Sequence, residues 1–130
     1  MRYLGIDYGS KRLGLAISDE HGGFAFPHQT IPNDGKALKT LASIIESESV
    51  GAIVVGDTRS LEGEANKVTA ESDEFVEELT AFVDIPVSRA REGHSSAEAM
   101  RYAPVGKKHD DSAAAAIILQ RFLDALPKKD

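Results

Sequence analysis

The sequence predicts an α/β fold: a mixed five-stranded sheet with helices on both faces. Three observations carry that expectation. Residues 2–31 contain three short runs of strand character broken by turn residues, the mark of an antiparallel meander. Three later segments repeat apolar residues at helical spacing. Between them lie two short strand-like runs, one of them apolar throughout, as a strand buried on both faces requires. Strands that pair first with neighbours in sequence and then alternate with helices make a mixed sheet, not a purely doubly wound one.

The elements follow in order. Arg2 to Asp7 alternates, with Leu4 and Ile6 in one phase and Tyr3, Gly5 and Asp7 in the other. Tyr8-Gly9-Ser10-Lys11 is turn chemistry in which Gly9 is free to take a positive φ. Leu13, Leu15 and Ile17 then alternate with Gly14, Ala16 and Ser18; the small residues predict that something packs closely on that face. A third strand covers Phe24 to Ile31, and Pro27 within it marks an edge or a bulge. Asn33-Asp34-Gly35 offers a helix start, with Leu38, Leu41, Ile44 and Ile45 on the buried stripe. Ala52 to Gly56 is the apolar strand. A loop from Asp57 to Gly63 leads to a polar-rich helix whose stripe includes Val68, Phe75, Leu79 and Phe82. Ile85-Pro86-Val87 opens a fifth strand ending near Glu92, and Ser95-Ser96-Ala97-Glu98 reads as a capping box. The last helix, from Asp110, carries Ala115, Ile118, Leu119, Phe122 and Leu126 on one side and Gln120, Arg121 and Asp124 opposite.

With 130 residues, 42% hydrophobic and 28% charged, the chain suits one domain, residues 1–126, followed by a short tail at 127–130. No apolar run approaches the ~20 residues that span a bilayer, so a cytoplasmic protein is expected. Cysteine is absent, which excludes disulfides, thiolate catalysis and cysteine-ligated zinc. The net charge of −6 argues against a sequence-independent coat on DNA. The charge is uneven, however. From Glu46 to Asp84 eleven acids face two bases, whereas Arg89, Arg91, Arg101, Lys107 and Lys108 outnumber the acids of the next stretch. One basic side of an acidic protein could meet a polyanion, although a solvated mixed-charge surface accounts for the same pattern.

Asp7, Glu92 and Asp111 lie at element ends, where an open sheet places its functional edge. Carboxylates there could hold hard divalent cations, and two ions about 3.5–4 Å apart can clamp both oxygens of a displacement at phosphorus. Each has a plainer explanation: Asp7 as a turn residue, Glu92 as a solvated acid, and Asp110 or Asp111 as the cap of the last helix. Ser95 serves equally as an N-cap. Gly9-Ser10-Lys11 is no P-loop, and the histidines show no ligand spacing.

The run Gly5-Ile6-Asp7-Tyr8-Gly9-Ser10-Lys11-Arg12-Leu13-Gly14-Leu15-Ala16-Ile17-Ser18-Asp19 resembles the opening motif of the bacterial YqgF-like family, also described as Holliday junction resolvases or pre-16S ribosomal RNA nucleases. Ile53-Val54-Val55-Gly56 with Glu62-Gly63, Ile85-Pro86-Val87, and Asp111 to Gln120 follow in the family's order, so the similarity spans essentially the whole chain. The resemblance implies a ribonuclease H-like fold and a Mg²⁺ or Mn²⁺ site formed by Asp7, Glu92 and Asp111, with Asp110 the alternative third acid. It implies that Lys11 and Arg12 lie near substrate phosphates and that Ser95 and Ser96 match the family's hydroxyl pair. Arg89 and Arg91 complete the expected nucleic-acid path. Relatives read Asp-Glu-Arg where this chain has Arg91-Glu92-Gly93, and a cation at Arg91 either binds phosphate or opposes the metal.

The resulting expectation is a metal-dependent endonuclease on structured RNA, in pre-16S rRNA maturation, or on branched DNA, acting as a monomer or weak homodimer. A catalytically weak nucleic-acid-binding module of the same fold is the alternative. A sugar-kinase-type ATPase, suggested by Asp7-Tyr8-Gly9-Ser10, needs two such domains and a longer chain.

Overall fold

The computed structural model describes residues 1–57, 67–91 and 111–126. Its elements run β1 (Arg2–Tyr8), β2 (Arg12–Ser18), β3 (Ala25–Pro32), α1 (Ala37–Ser47), β4 (Val50–Asp57), α2 (Lys67–Phe82), β5 (Val87–Arg91) and α3 (Asp111–Ala125). The five strands form one sheet in the order β3-β2-β1-β4-β5. The β1–β2 and β2–β3 pairs are antiparallel, and the β1–β4 and β4–β5 pairs are parallel. The expected order of elements and the mixed sheet are both present. The short helix expected at Ser95, the 57–63 loop beyond Asp57, and the tail at 127–130 lie outside the described residues.

Strand alternation divides the core in two. Leu4, Ile6, Leu13, Leu15, Ile53 and Val55 point to one face and pack with Leu41 and Ile44 of α1 and Phe75 and Leu79 of α2. Ala16, Val54 and Ala90 face the other way, against Ala115, Ile118, Leu119 and Leu123 of α3. The α3 side is built from small strand residues because the helix lies almost on the backbone. A Cβ at Gly5 would come 2.8 Å from Leu119 Cβ and 3.2 Å from the Ala115 carbonyl. Farther along the same contact, Tyr3 packs on Phe122 with ring centroids 6.1 Å apart.

At the sheet edge, β3 is exposed from Phe26 to Thr30, and its register with β2 shifts opposite Pro27. A proline there withholds no hydrogen bond that a central strand would need.

Three local expectations change. Helix α1 starts at Ala37, not at Asn33-Asp34. Asp34 instead makes the lead-in turn, its Oδ1 accepting the Lys36 N–H at 2.9 Å and its carbonyl accepting the Ala37 N–H at 3.1 Å. Gly9 does not take a positive φ; Gly22 does, at 70°. Gly9 is required for space, since a Cβ would sit 2.7 Å from the Arg12 carbonyl oxygen. Phe82, read as part of the buried stripe, is 49% exposed at the last residue of α2, because the inward stripe runs through Phe75, Val76 and Leu79 to Val83 and leaves position 82 outside it.

Candidate active site

The candidate site lies where the carboxyl-terminal end of β1 and the start of β2 meet the first turn of α3. Asp7 is half-buried and pairs across the ladder with Gly14. Directly opposed residues of an antiparallel pair project to the same face, so Asp7 shares the α3 face with Gly14, as Gly5 does two residues earlier. Gly14 in turn touches the start of α3. A Cβ there would lie 2.0 Å from the Asp111 carbonyl oxygen and 2.8 Å from Asp111 Cβ. Opposed Cβ positions are about 5 Å apart, so the 2.8 Å contact leaves Asp7 and Asp111 Cβ atoms separated by no more than about 8 Å. Two carboxylates at that spacing, on one face, can reach a shared pair of cations. Asp111 also sits in the first turn of α3, where the exposed amide groups favour negative charge.

The cationic residues divide between the two faces. Arg12 Nε donates to Asp111 Oδ2 at 3.1 Å. Lys11 is exposed in the β1–β2 turn. Asn33 braces that turn: its Nδ2 donates to the Gly9 carbonyl at 2.8 Å, and its N–H donates to the Lys11 carbonyl at 2.9 Å. Arg89 is on the opposite face. Its Nη1 donates to Ser72 Oγ at 2.9 Å and its Nη2 is 3.4 Å from Asp73 Oδ1, both on α2. It is therefore not among the groups gathered beside Asp7, as the alternation of β5 dictates. Arg2 lies at the far end of β1, paired with Glu20 and Glu48.

Arg91 is the last residue of β5, with its backbone opposite Asp57. Glu92, Ser95, Ser96 and Asp110 lie outside the described residues. Among the described residues no three acids or histidines cluster closely enough to hold a metal; Asp7 and Asp111 are the two expected ligands within them.

The acidic surface is across the sheet. Glu71, Glu74 and Glu78 of α2 line a groove of about 190 Å³ with Tyr8, Asn33 and Phe75. Tyr8 follows Asp7 and so projects to that side, its ring 5.2 Å from that of Phe75. The sheet thus stands between these glutamates and the Asp7–Asp111 face.

Two features are not legible in the sequence. The Arg12–Asp111 pair spans 99 residues of sequence, and nothing in either neighbourhood announces it. The bracing by Asn33 was hidden by its plausibility as a helix start. Gly14, in contrast, was signalled by the small residues of β2.

The mixed five-stranded sheet with helices packed on both faces is a ribonuclease H-like fold. The fold is similar to RuvC of Thermus thermophilus in complex with a Holliday junction, with a TM-score of 0.65 at 13% identity over 96% of this chain and 94% of that one. It is also similar to the fowlpox virus resolvase in complex with Holliday junction DNA, with a TM-score of 0.60 at 12% identity over 98% and 100% of the two chains. The chain itself belongs to the RuvX family, described as Holliday junction resolvase, which matches residues 1–125. With that membership comes its enzyme class, a nuclease. Relatives named "Putative pre-16S rRNA nuclease" include one from Chlorobium luteolum, 43% identical over 95% of this chain and 94% of its own length. Another, from Maridesulfovibrio salexigens, is 39% identical over 95% and 98%.

Proposed function

We propose that the chain hydrolyses phosphodiester bonds of structured RNA in the 5′ maturation of pre-16S rRNA, in the cytoplasm, using Mg²⁺ or Mn²⁺ held by Asp7, Glu92 and Asp111. The observation that carries the reading is the meeting of Asp7 and Asp111 across Gly14 on a single face of the sheet. The donors are all carboxylate oxygens in a chain without cysteine, which suits hard cations. When bound, such ions supply an activated water and stabilise charge on the leaving oxygen. The chain's own residues supply position. Asp7 is fixed by its pairing with Gly14 on β2, one residue after Ile6 pairs with Val55 on β4, and Asp111 by the seating of α3 on Gly14. Lys11 and Arg12 place positive charge at the rim, where a phosphate backbone must approach a protein of net charge −6.

Branched DNA is the second reading, favoured by the family's description and by the two junction-bound structures of like fold. The test incubates the protein with precursor 16S rRNA and with a four-way DNA junction, in Mg²⁺ and in Mn²⁺. Cleavage of the RNA that disappears in Asp7→Asn is the expected result. Cleavage of the junction alone transfers the assignment to resolvase. Binding without cleavage in either metal makes this chain, with its Arg91-Glu92-Gly93 departure, a binding module. No helix among the described residues is long and apolar enough to cross a membrane.

A further inference from the structure

Arg12 is held in an unusual way for a residue expected to bind phosphate. Its Nε donates to Oδ2 of Asp111, the same carboxylate read above as a metal ligand. Its side chain is 67% exposed while that of Asp111 is 23% exposed. Among the described residues the Arg12 side chain makes no second hydrogen bond or ion pair, and it is largely exposed.

We propose that Arg12 is an exchangeable counter-ion that couples nucleic-acid binding to metal binding. It occupies Asp111 while the site is empty. An arriving phosphate draws it away, and a divalent cation takes its place on the carboxylate. The inference rests on the metal reading of Asp111, and three physical points support it. A guanidinium and a dication compete for one carboxylate oxygen and repel each other at contact distance. An exposed ion pair is weak, worth a factor of about five at most (about 1 kcal/mol), so it is readily given up. A phosphate offers the guanidinium two parallel charge-assisted hydrogen bonds, where Arg12 makes one to Asp111, through Nε. Lys11, adjacent in a turn that Asn33 braces, can meet the same phosphate. Because coupling is reciprocal, the metal must also tighten nucleic-acid binding.

A different role makes the opposite prediction. If Arg12 were a fixed strut that orients Asp111, its removal would weaken metal binding. The experiment titrates Mn²⁺ by electron paramagnetic resonance into wild type, Arg12→Ala, Arg12→Gln and Asp7→Asn. Each is measured alone and with a phosphorothioate DNA hairpin, which keeps the backbone charge and resists hydrolysis. Arg12→Ala and Arg12→Gln should bind Mn²⁺ alone up to about fivefold tighter than wild type. The hairpin should tighten Mn²⁺ binding in wild type and do so less in both variants. Equal or weaker Mn²⁺ binding by both Arg12 variants, with Asp7→Asn losing Mn²⁺, overturns the exchange and leaves the metal site standing. If Asp7→Asn binds Mn²⁺ as wild type does, or no form binds it, the metal reading falls and the exchange falls with it.

Discussion

Gly14→Ala is the most revealing single substitution, because one added carbon bears on fold and site together. The new Cβ would lie 2.0 Å from the Asp111 carbonyl oxygen and 2.3 Å from its carbonyl carbon. Both are backbone atoms, so no rotamer change relieves the overlap. An ordinary carbon–oxygen contact needs roughly 3.4 Å, so the first turn of α3 must retreat by more than 1 Å or β2 must bend. Overpacking of this kind costs about 1–3 kcal/mol, which for a chain of this length lowers Tm by roughly 3–15 °C. The same displacement draws Asp111 away from Asp7, and a misplacement of about 1 Å can reduce rate about 100-fold. Thermal melts, Mn²⁺ titration at a temperature where the variant is fully folded, and single-turnover cleavage read the three consequences. Gly5→Ala is the control. Its Cβ would press on Leu119, roughly two helical turns from Asp111, and should lower Tm while retaining Mn²⁺ affinity. A Gly14→Ala protein with wild-type Tm, Mn²⁺ affinity and rate would refute the claim that this glycine seats Asp111 beside Asp7.

Further outcomes follow from the same geometry. Lys11→Ala combined with Arg12→Ala should weaken nucleic-acid binding on all sequences alike and reduce the slope of log K against log salt by about 2, read by fluorescence anisotropy across a salt series. Arg89→Ala should leave that binding and its salt slope unchanged while lowering Tm, because Arg89 holds Ser72 and Asp73 on the other face. Asp19 accepts the Gly23 N–H at 2.7 Å and the Phe24 N–H at 3.0 Å, and these bonds, that from Phe24 foremost, hold its carboxyl below the ordinary aspartate value. A depressed folded-state pKa contributes stability above the unfolded value of 3.8 and loses it as pH falls through the folded one. The Tm advantage of wild type over Asp19→Ala should accordingly be present at pH 6 and shrink below pH 3.8, and a carboxyl chemical-shift titration should place the midpoint below 3.8.

Much of this architecture is readable from short-range pattern. The alternation of Leu4 and Ile6 against Gly5 and Asp7 reports which side of β1 is packed by α1 and α2 and which by α3. Pro27 announces the edge strand, and Gly14 with Ala16 announces the close helix. Legibility fails where local chemistry admits two uses. Asn33 resembles a helix cap because its amide is equally able to brace the β1–β2 turn. Gly9 resembles a positive-φ residue because glycine answers to tight space as well as to unusual dihedrals. Arg89 falls in a basic stretch, but a one-residue change of phase on β5 separates the α2 face from the Asp7 face. The Arg12–Asp111 pair is a product of tertiary structure alone. Asp7 and Asp111 stand out in the sequence because acids at element ends suit a metal and because the opening motif is shared with the family. Their meeting required Gly14, which no acidic pattern contains.

The proposed function stands or falls on whether Asp7 and Asp111 share divalent cations at the end of β1. A crystal structure of the protein grown in Mn²⁺, with anomalous data collected near the manganese edge, tests it directly. The expected result is an anomalous peak coordinated by carboxylate oxygens of both Asp7 and Asp111, with Arg12 released from Asp111. Manganese bound by neither or only one of these aspartates, with the Arg12–Asp111 pair intact, would contradict it.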